Sequence, residues 1–253
     1  MNSPGTFTFA VLNDLHYMTP EDRPWLDRLV RQVNAVPELE LVLVLGDLAE
    51  DGSRSELEAA RQILTGLSVP WYVVPGNHDG PPNRPIGSGV AGLRDYESLF
   101  PKRRNYSFTH KGWQFIGLDT TNGSGYQLLP IPEDTKGFAR DAAAALDRKA
   151  PTILFTHMPL DPAVRFSSAD GFDLLRILAP LNLRIVFSGH FHGLTEAIAP
   201  PPNPQHLKLL TNRCCSRTRE LHDGSTKRGF FQCRASADQT VAYSFAELLP
   251  IAR

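Results

Sequence analysis

Short apolar runs alternate with amphipathic helical patterns along the first two thirds of the chain. Most of the runs are continuously apolar or rich in β-branched residues, which is typical of strands buried on both faces. The predicted strands are residues 6–12, 39–45, 71–74, 113–118, 152–155 and 184–187. The predicted helices between them are residues 25–36, 53–67, 138–146 and 172–178. This alternation predicts stacked β-α-β units and an α/β fold.

The C-terminal part of the chain follows a different pattern. A proline-rich turn at residues 200–204 is followed by three strand-like runs, at residues 207–210, 229–234 and 240–245. The last two flank a short polar segment and therefore predict a hairpin. We expect a single domain over residues 1–253, with a C-terminal β segment at about 205–247 in which antiparallel connections replace the crossovers.

Bulk composition excludes several classes of protein. The chain has 253 residues, of which 42% are hydrophobic and 21% charged, and its formal net charge is −1. This balance does not favour a nucleic-acid-binding protein, which normally has a basic footprint. There is no apolar run long enough to span a membrane and no signal-peptide pattern at the N-terminus. The three cysteines, Cys214, Cys215 and Cys233, do not form a disulfide framework and fit a reduced, cytoplasmic compartment.

Polar residues that are able to bind metals follow five of the predicted strands. In chain order they are Asp14 and His16, then Asp47, then Asn77 with His78 and Asp79, then His157, and finally His190 with His192. Because ligands bind at the carboxyl ends of strands in parallel sheets, we expect these strand ends to converge on one site. We expect the pair Asp14 and His16 and the pair His190 and His192 to lie in extended segments. Both side chains of a pair would then point to the same side. The glycines before Asp47, Asn77 and His190 are expected to allow sharp turns and close approach of the backbone.

The chemistry of this set points to two metal ions. Two carboxylates, one amide oxygen and four imidazoles suit Zn, Mn or Fe better than Ca or Mg, which prefer oxygen alone. The seven candidate ligands are Asp14, His16, Asp47, Asn77, His157, His190 and His192. Seven are too many for one tetrahedral site but fit two divalent ions that share a carboxylate. Two ions about 3.5–4 Å apart can hold the attacking and leaving oxygens of an in-line displacement at phosphorus.

The ordered motifs resemble the calcineurin-like metallophosphoesterases over residues 6–192. The resemblance implies a four-layer αββα sandwich of two mixed β-sheets flanked by helices, the metallo-dependent phosphatase fold. It also implies the division of the ligands: Asp14, His16, Asp47 and His192 on one ion, and Asp47, Asn77, His157 and His190 on the other, with Asp47 bridging. By the same resemblance, His78 faces the phosphate and donates a hydrogen bond or a proton, while Asp79 orients His78.

Residues near the motifs separate the chain from several branches of this family. Glu50 stands where purple acid phosphatases have a Tyr ligand, and Tyr17 stands where Ser/Thr protein phosphatases and dinucleoside polyphosphatases have Gly. His78 stands where lipid-A-pathway pyrophosphatases have Arg. What remains resembles the class III cyclic nucleotide phosphodiesterases and their phosphodiesterase relatives. Met158 and Asn13 depart from the pattern, since many members have His and Ser or Thr at these positions.

These observations lead us to expect a hydrolase that cleaves a small phosphodiester, such as a cyclic nucleotide, by in-line attack of a metal-bound hydroxide. Alternatives are a phosphomonoesterase or nuclease of the same superfamily, and, from another class, a non-catalytic metal-binding scaffold. A nuclease would need a basic groove, and a scaffold would be expected to have lost ligands.

Several segments outside the motifs are left with two interpretations. The long loops at residues 80–92 and 119–136 are expected to form lids or rims of the site. The basic residues Arg213, Arg217, Arg219, Lys227 and Arg228 either steer an anionic substrate or form a solvated loop. The C-terminal hairpin is a candidate surface for a homo-oligomer.

Overall fold

Two mixed β-sheets form the centre of the fold. A computed structural model of the chain describes residues 3–80, 92–121, 123, 128–203 and 207–249. The strands in these ranges are β1 (Phe7–Leu12), β2 (Leu39–Val44), β3 (Trp71–Val73), β4 (Tyr106–His110), β5 (Trp113–Leu118), β6 (Pro151–Thr156), β7 (Asn182–Ser188), β8 (Thr195–Ile198), β9 (Lys208–Thr211), β10 (Gly229–Ala235) and β11 (Val241–Glu247). The helices are α1 (Arg23–Asn34), α2 (Arg54–Leu64), α3 (Arg94–Leu99), α4 (Glu133–Ala145) and α5 (Gly171–Leu178), and a 3-10 turn at Pro20–Asp22 precedes α1.

Each sheet combines parallel central strands with antiparallel strands. The first sheet has the order β11-β10-β1-β2-β3, and the second has the order β4-β5-β6-β7-β9-β8. In the first, β1, β2 and β3 are parallel, and the β10–β11 hairpin joins β1 in the antiparallel direction. In the second, the four central strands are parallel and the edge strands β4 and β8 are antiparallel. The predicted C-terminal hairpin is confirmed, whereas β9, which precedes it in the C-terminal segment, pairs with β7 in the parallel direction.

Three apolar clusters hold four layers together. Between the sheets, the ring of Phe9 meets the rings of Phe115 and Phe187 edge-on, with centroids 6.3 and 6.0 Å apart. Alternate residues of the strands point outwards and pack beneath the helices, as expected for a period of two. On the first sheet they pack beneath α1 and α2, and on the second beneath α4 and α5. The expected αββα sandwich is therefore confirmed.

The predicted helices are present, with different ends. The capping box at the start of α2 is confirmed, because Ser53 Oγ accepts a hydrogen bond from Glu56 N and Glu56 Oε2 accepts one from Ser53 N, both at 3.3 Å. The predicted start of α4 at residue 138 is wrong, since the helix begins at Glu133. Glu133 and Asp134 lie in its first turn, where acidic side chains favour a helix N-terminus. Helix α3 and strands β4 and β8 were not predicted.

Part of both long loops lies outside the described residues, namely residues 81–91 of the first loop and residues 122 and 124–127 of the second. In the ranges that are described, no helix combines the length and the apolar character that crossing a membrane requires. Cys214, Cys215 and Cys233 are buried free thiols.

Candidate metal centre

The seven predicted ligands lie in loops at the carboxyl ends of five strands. Three of the strands, β1, β2 and β3, belong to the first sheet, and two, β6 and β7, belong to the second. All seven side chains are buried: Asp14, His16, Asp47, Asn77, His157, His190 and His192. The site is therefore assembled where the same edges of the two stacked sheets meet.

One group of donor atoms consists of Asp14, His16, Asp47 and His192, which each offer an atom within 4.8 Å of the others. Nε2 of His16 lies 3.3 Å from Nε2 of His192 and 3.5 Å from Oδ2 of Asp47. Nε2 of His192 lies 3.4 Å from Oδ1 of Asp14. This is the set of residues that the resemblance to the metallophosphoesterases implies for one ion.

A second group consists of Asp47, His157 and His190, again with donor atoms within 4.8 Å of one another. Oδ1 of Asn77 lies 3.0 Å from Nε2 of His157, and Oδ2 of Asp47 lies 3.3 Å from the same nitrogen. Oδ2 of Asp47 thus faces both groups, since it is also the oxygen nearest His16. The structure brings together all seven predicted ligands in two adjacent groups that share Asp47.

The backbone reaches this arrangement through left-handed conformations, and the expectation of extended segments was wrong. The φ angles are 52° at Asp14, 46° at His16, 51° at Asp47, 62° at His190 and 52° at His192. A left-handed conformation costs a non-glycine residue about 1–2 kcal/mol, because Cβ crowds the carbonyl oxygen. Strain of this kind concentrates at functional sites, where the surrounding structure imposes it. Hydrogen bonds between the loops after β1 and β2 impose it here, from the amides of Asp14 and His16 to the carbonyls of Gly46 and Asp47.

Two glycines allow neighbouring loops to pass unusually close to each other. Gly46 has φ +85°, and a Cβ added to it would lie 2.5 Å from the backbone nitrogen of Gly76. A Cβ added to Gly76 would lie 2.1 Å from Oδ1 of Asp47. Real Cβ atoms do not approach other atoms so closely, so both positions require glycine. The predicted close backbone approach before Asp47 and Asn77 is confirmed.

Hydrogen bonds to Nδ1 orient two of the imidazoles. Nδ1 of His157 lies 2.6 Å from the carbonyl oxygen of Leu45, and Nδ1 of His192 lies 3.1 Å from that of Glu220. A carbonyl oxygen only accepts, so Nδ1 carries the proton in both rings and the lone pair of the neutral ring lies on Nε2. Nε2 is the nitrogen that faces the donor groups, and an oriented Nδ1–H is the usual partner arrangement of a metal-binding histidine.

The donor set fits divalent cations. Oδ1 of Asn77 and Oδ2 of Asp47 lie 3.0 and 3.3 Å from Nε2 of His157. All three atoms are acceptors when the ring is neutral. Acceptors repel one another at this distance unless a proton or a cation lies among them. Mixed nitrogen and oxygen donors favour transition metals over Ca or Mg. The residues present therefore fit the two metal ions that the sequence implies.

The electrostatics of the cluster agree with this conclusion. Burial alone would raise the pKa of Asp14, but the attraction of His192 and His157 outweighs it and lowers that pKa to about 2. Asn13 also donates a hydrogen bond to Oδ2 of Asp14 and accepts one from Asn212 at 2.8 Å. An amide in place of the more common Ser or Thr at residue 13 thus orients the first carboxylate of the site.

The structure describes backbone partners for the His78 ring and for the Asp79 carboxylate. Nδ1 of His78 donates to the carbonyl oxygen of Glu50 at 2.6 Å, and the backbone amide of His78 donates to Oδ1 of Asp47 at 2.8 Å. The carboxylate of Asp79 accepts hydrogen bonds from the backbone amides of Leu48, Ala49 and Gly76 at 2.7–3.1 Å. Burial and repulsion by Asp47 raise the pKa of Asp79 to about 7. In this geometry Asp79 fixes the loop backbone, and the Glu50 carbonyl orients the His78 ring.

Sequence reasoning missed several residues that contact the site. Oε2 of Glu50 lies 3.1 Å from Nδ1 of His16, although this nitrogen makes no hydrogen bond of good geometry. The ring of His222 lies parallel to that of His192, with centroids 5.9 Å apart. Phe166 has φ +66°, and the centroid of its ring lies 5.9 Å from that of the His190 ring. Loop residues of this kind leave no periodic signal in the sequence.

Relatives in sequence include phosphodiesterases. A probable cyclic nucleotide phosphodiesterase of Synechococcus is 30% identical over 180 residues, which cover 64% of this chain and 64% of that protein. A probable glycerophosphodiester phosphodiesterase, GpdQ, of Arcobacter nitrofigilis is 38% identical over 137 residues, which cover 50% of this chain and 44% of that protein. The similarity therefore spans less than two thirds of the length of each of these relatives.

Solved structures share the fold at low identity. GAP50 of Plasmodium superposes with a TM-score of 0.66 at 16% identity, covering 96% of this chain and 85% of that chain. The phosphopantetheinyl hydrolase PptH of Mycobacterium tuberculosis superposes with a TM-score of 0.54 at 15% identity, covering 85% and 92%. The sequence profile of the calcineurin-like phosphoesterases matches residues 7–194, which include every predicted ligand. The chain belongs to the calcineurin-like phosphoesterase family.

Proposed function

We propose that this protein is a metal-dependent phosphodiesterase that cleaves a small phosphodiester, such as a cyclic nucleotide, at a two-metal centre. The observation that carries the proposal is the position of Asp47 Oδ2, which lies 3.5 Å from Nε2 of His16 and 3.3 Å from Nε2 of His157. One carboxylate oxygen that faces two separate donor groups suits a bridge between two ions. The printed names of the relatives, a cyclic nucleotide phosphodiesterase and a glycerophosphodiester phosphodiesterase, support a diester substrate.

The proposed ligand assignment follows the two donor groups. Asp14, His16, Asp47 and His192 would hold one ion, and Asp47, Asn77, His157 and His190 would hold the other. Divalent Mn, Fe or Zn bound there would supply a nucleophilic water at neutral pH and neutralise charge on the phosphate oxygens. The buried surroundings keep the ligands in place without the substrate, because the Nδ1 atoms of His157 and His192 are held by backbone carbonyls.

His78 would act on the phosphate through Nε2. Its Nδ1–H is held by the Glu50 carbonyl, so donation from Nε2 requires the doubly protonated ring. In that form Nε2 can donate a hydrogen bond to a phosphate oxygen or a proton to the leaving oxygen. Asp79 would contribute indirectly, by fixing the amides of Leu48, Ala49 and Gly76 and so the loop that carries His78.

Steady-state hydrolysis tests this proposal. The chelated protein is reconstituted in turn with Mn, Fe, Zn and Mg and assayed with bis(p-nitrophenyl) phosphate and with p-nitrophenyl phosphate. We expect a transition metal to restore activity and the diester to be preferred in kcat/KM. Preference for the monoester would favour the phosphomonoesterase alternative, and hydrolysis of a polynucleotide in preference to both would favour a nuclease.

The scaffold alternative predicts retained metals without turnover of any phosphoester. All seven ligand positions carry residues that can bind a metal, and His78 is present, which argues against a scaffold. The organisation of residues 1–253 as one domain, the cytoplasmic location and assembly through the C-terminal hairpin stay predictions.

A further inference from the structure

Arg219 reaches the centre from the C-terminal segment, outside residues 7–194 that match the family profile. Its Nε donates a hydrogen bond to Oε2 of Glu50 at 2.9 Å, and its Nη2 donates to Oε1 of the same carboxylate. Nη2 also lies 3.4 Å from both ring nitrogens of His78. Equal distances to the two nitrogens place the guanidinium against the ring, and the two-point contact with Glu50 fixes its plane.

The backbone around Arg219 is also held in place. The amide of Arg219 donates to Oγ of Ser216 at 3.2 Å, and its carbonyl accepts a hydrogen bond from Nη2 of Arg228 at 2.5 Å. The side chain is 31% exposed, so a substrate that enters the site can reach it. Arg219 is therefore an ordered, partly exposed cation beside Glu50 and His78.

Other basic residues of the same run are bound elsewhere in the described structure. Three of them form ion pairs with carboxylates away from the donor groups: Arg213 with Asp223 at 2.7 Å, Arg217 with Asp22 at 3.0 Å and Lys227 with Glu247 at 2.9 Å. These basic residues therefore form neither a patch of unpaired charges that steers a substrate nor a wholly solvated loop. Its contribution to the centre is concentrated in Arg219.

We infer that Arg219 binds the phosphate group of the substrate together with His78. This inference rests on the proposed function, since it takes Nε2 of His78 as the atom that faces the phosphate. Nη2 of Arg219 lies 3.4 Å from that nitrogen, so an oxygen bound by His78 is within reach of the guanidinium. A guanidinium has five N–H donors, of which Glu50 takes two, and the planar fork matches the oxygens of a phosphate.

Glu50 gives Arg219 a second way to influence an anion. Without the guanidinium, the Glu50 carboxylate would stand uncompensated beside His16 and His78 and would repel a phosphate. Arg219 could therefore act by direct contact or only by neutralising Glu50. The donors that Glu50 does not use favour direct contact, and a double substitution separates the two.

The test measures binding of inorganic phosphate to the metal-loaded full-length protein by calorimetry, together with kcat and KM for bis(p-nitrophenyl) phosphate. The variants are R219M, R219K and the double variant E50Q/R219M. R217M is the matched control, because Arg217 lies two residues away and pairs with Asp22. Bound metal is quantified in every variant.

Loss of a charge-assisted contact predicts that R219M weakens phosphate binding by about tenfold to a hundredfold. KM should rise by a similar factor with kcat nearly unchanged, as for an interaction made equally in the ground state and the transition state. R219K should be intermediate, and R217M should match the wild type. The double variant should stay as weak as R219M.

Wild-type phosphate affinity in R219M, or recovery of that affinity in the double variant, would overturn the inference. Loss of bound metal in R219M would also overturn it, because Arg219 would then act on the centre itself. If R219M does not fold, the phosphate affinity of R219K is the deciding measurement. Wild-type affinity in R219K would then count against direct contact. Phosphate binding without hydrolysis of any phosphoester would overturn the proposed function and leave the reading of Arg219 intact.

Discussion

Oδ2 of Asp47 lies 3.3 Å from Nε2 of His157, and both side chains are fully buried. Burial alone would raise the pKa of Asp47, but the attraction of His157 and His78 outweighs it and lowers that pKa well below its ordinary value. Burial would lower the pKa of His157, but Asp47 and Asp14 raise it to about 9. The two groups stabilise each other's charged forms in the metal-free protein. The charged form of Asp47 thus depends on a positive charge beside it, and this requirement is the electrostatic basis of the proposed centre.

Replacing His78 by Ala is expected to lower turnover by about a hundredfold to ten-thousandfold, the usual contribution of a positioned acid or base. Bound metal should be unchanged, because Nδ1 of His78 is held by the Glu50 carbonyl and the ring is not among the seven proposed ligands. The measurement combines kcat for the diester with metal analysis. His110→Ala is the control, since His110 lies on the edge strand β4 and pairs with Glu40 of β2. Full turnover in the His78 variant would refute the role given to this residue.

Replacing Gly76 by Ala is expected to reduce both metal content and stability. The added Cβ would lie 2.1 Å from Oδ1 of Asp47 and 2.2 Å from its backbone nitrogen, so the shared carboxylate must move. The matched control is Gly137→Ala in α4, where an added Cβ would lie 4.0 Å from Nη2 of Arg140. Alanine there should stabilise the helix by about 0.5–1 kcal/mol. Metal analysis and urea unfolding of both variants give the comparison, and an intact centre in the Gly76 variant would count against the close packing of the two loops.

Glu40 provides a stability test that does not involve the centre. It accepts hydrogen bonds from His110 and Lys111, which ties β2 of the first sheet to the β4–β5 hairpin of the second. Burial would raise the pKa of Glu40, but the bonds from Lys111 and His110 outweigh it and lower the pKa below its ordinary value of 4.5. A lowered carboxyl pKa stabilises the folded state above the unfolded value, and this contribution is lost as pH falls through the folded value.

Glu40→Gln should therefore be less stable than the wild type at neutral pH, by about 1 kcal/mol or less for a pair near the surface. The difference should shrink as pH falls below 4.5. Urea unfolding across the acid range measures it. The control is Glu38→Gln, because Glu38 is 78% exposed and its contact with Arg234 is 3.4 Å long. A difference that stays constant with pH would contradict the assignment to the charged form of Glu40.

Buried strands were predictable because they leave continuous apolar runs in the sequence. Strands β5 and β6 are buried along their whole length, and their mainly apolar runs predict strands at these positions. The edge strand β4 pairs with β5 alone and alternates half-buried with exposed residues, so its sequence signal is a five-residue alternation of period two. The edge strand β8 has four residues, of which two are exposed, so its pattern hardly differs from that of a loop.

Candidate ligands were predictable because each follows a strand in a fixed order along the chain. Their backbone was not, since the left-handed φ of Asp14 or His190 is imposed by hydrogen bonds and packing between loops. The contact of Arg219 with Glu50 joins residues 169 positions apart. Local periodicity carries no information about such a contact, which depends on how the C-terminal segment packs against the rest of the fold.

The shared carboxylate is the central claim, and metal stoichiometry tests it most directly. Wild-type protein and Asp47→Asn are loaded with Mn, freed of excess metal and analysed for ions per chain. Asp27→Asn serves as the control, because Asp27 pairs with Arg23 on α1. We predict two ions per chain for the wild type and the control, and loss of both from the Asp47 variant, since each donor group loses the oxygen that they share. Two tightly bound ions in the Asp47 variant would contradict the account.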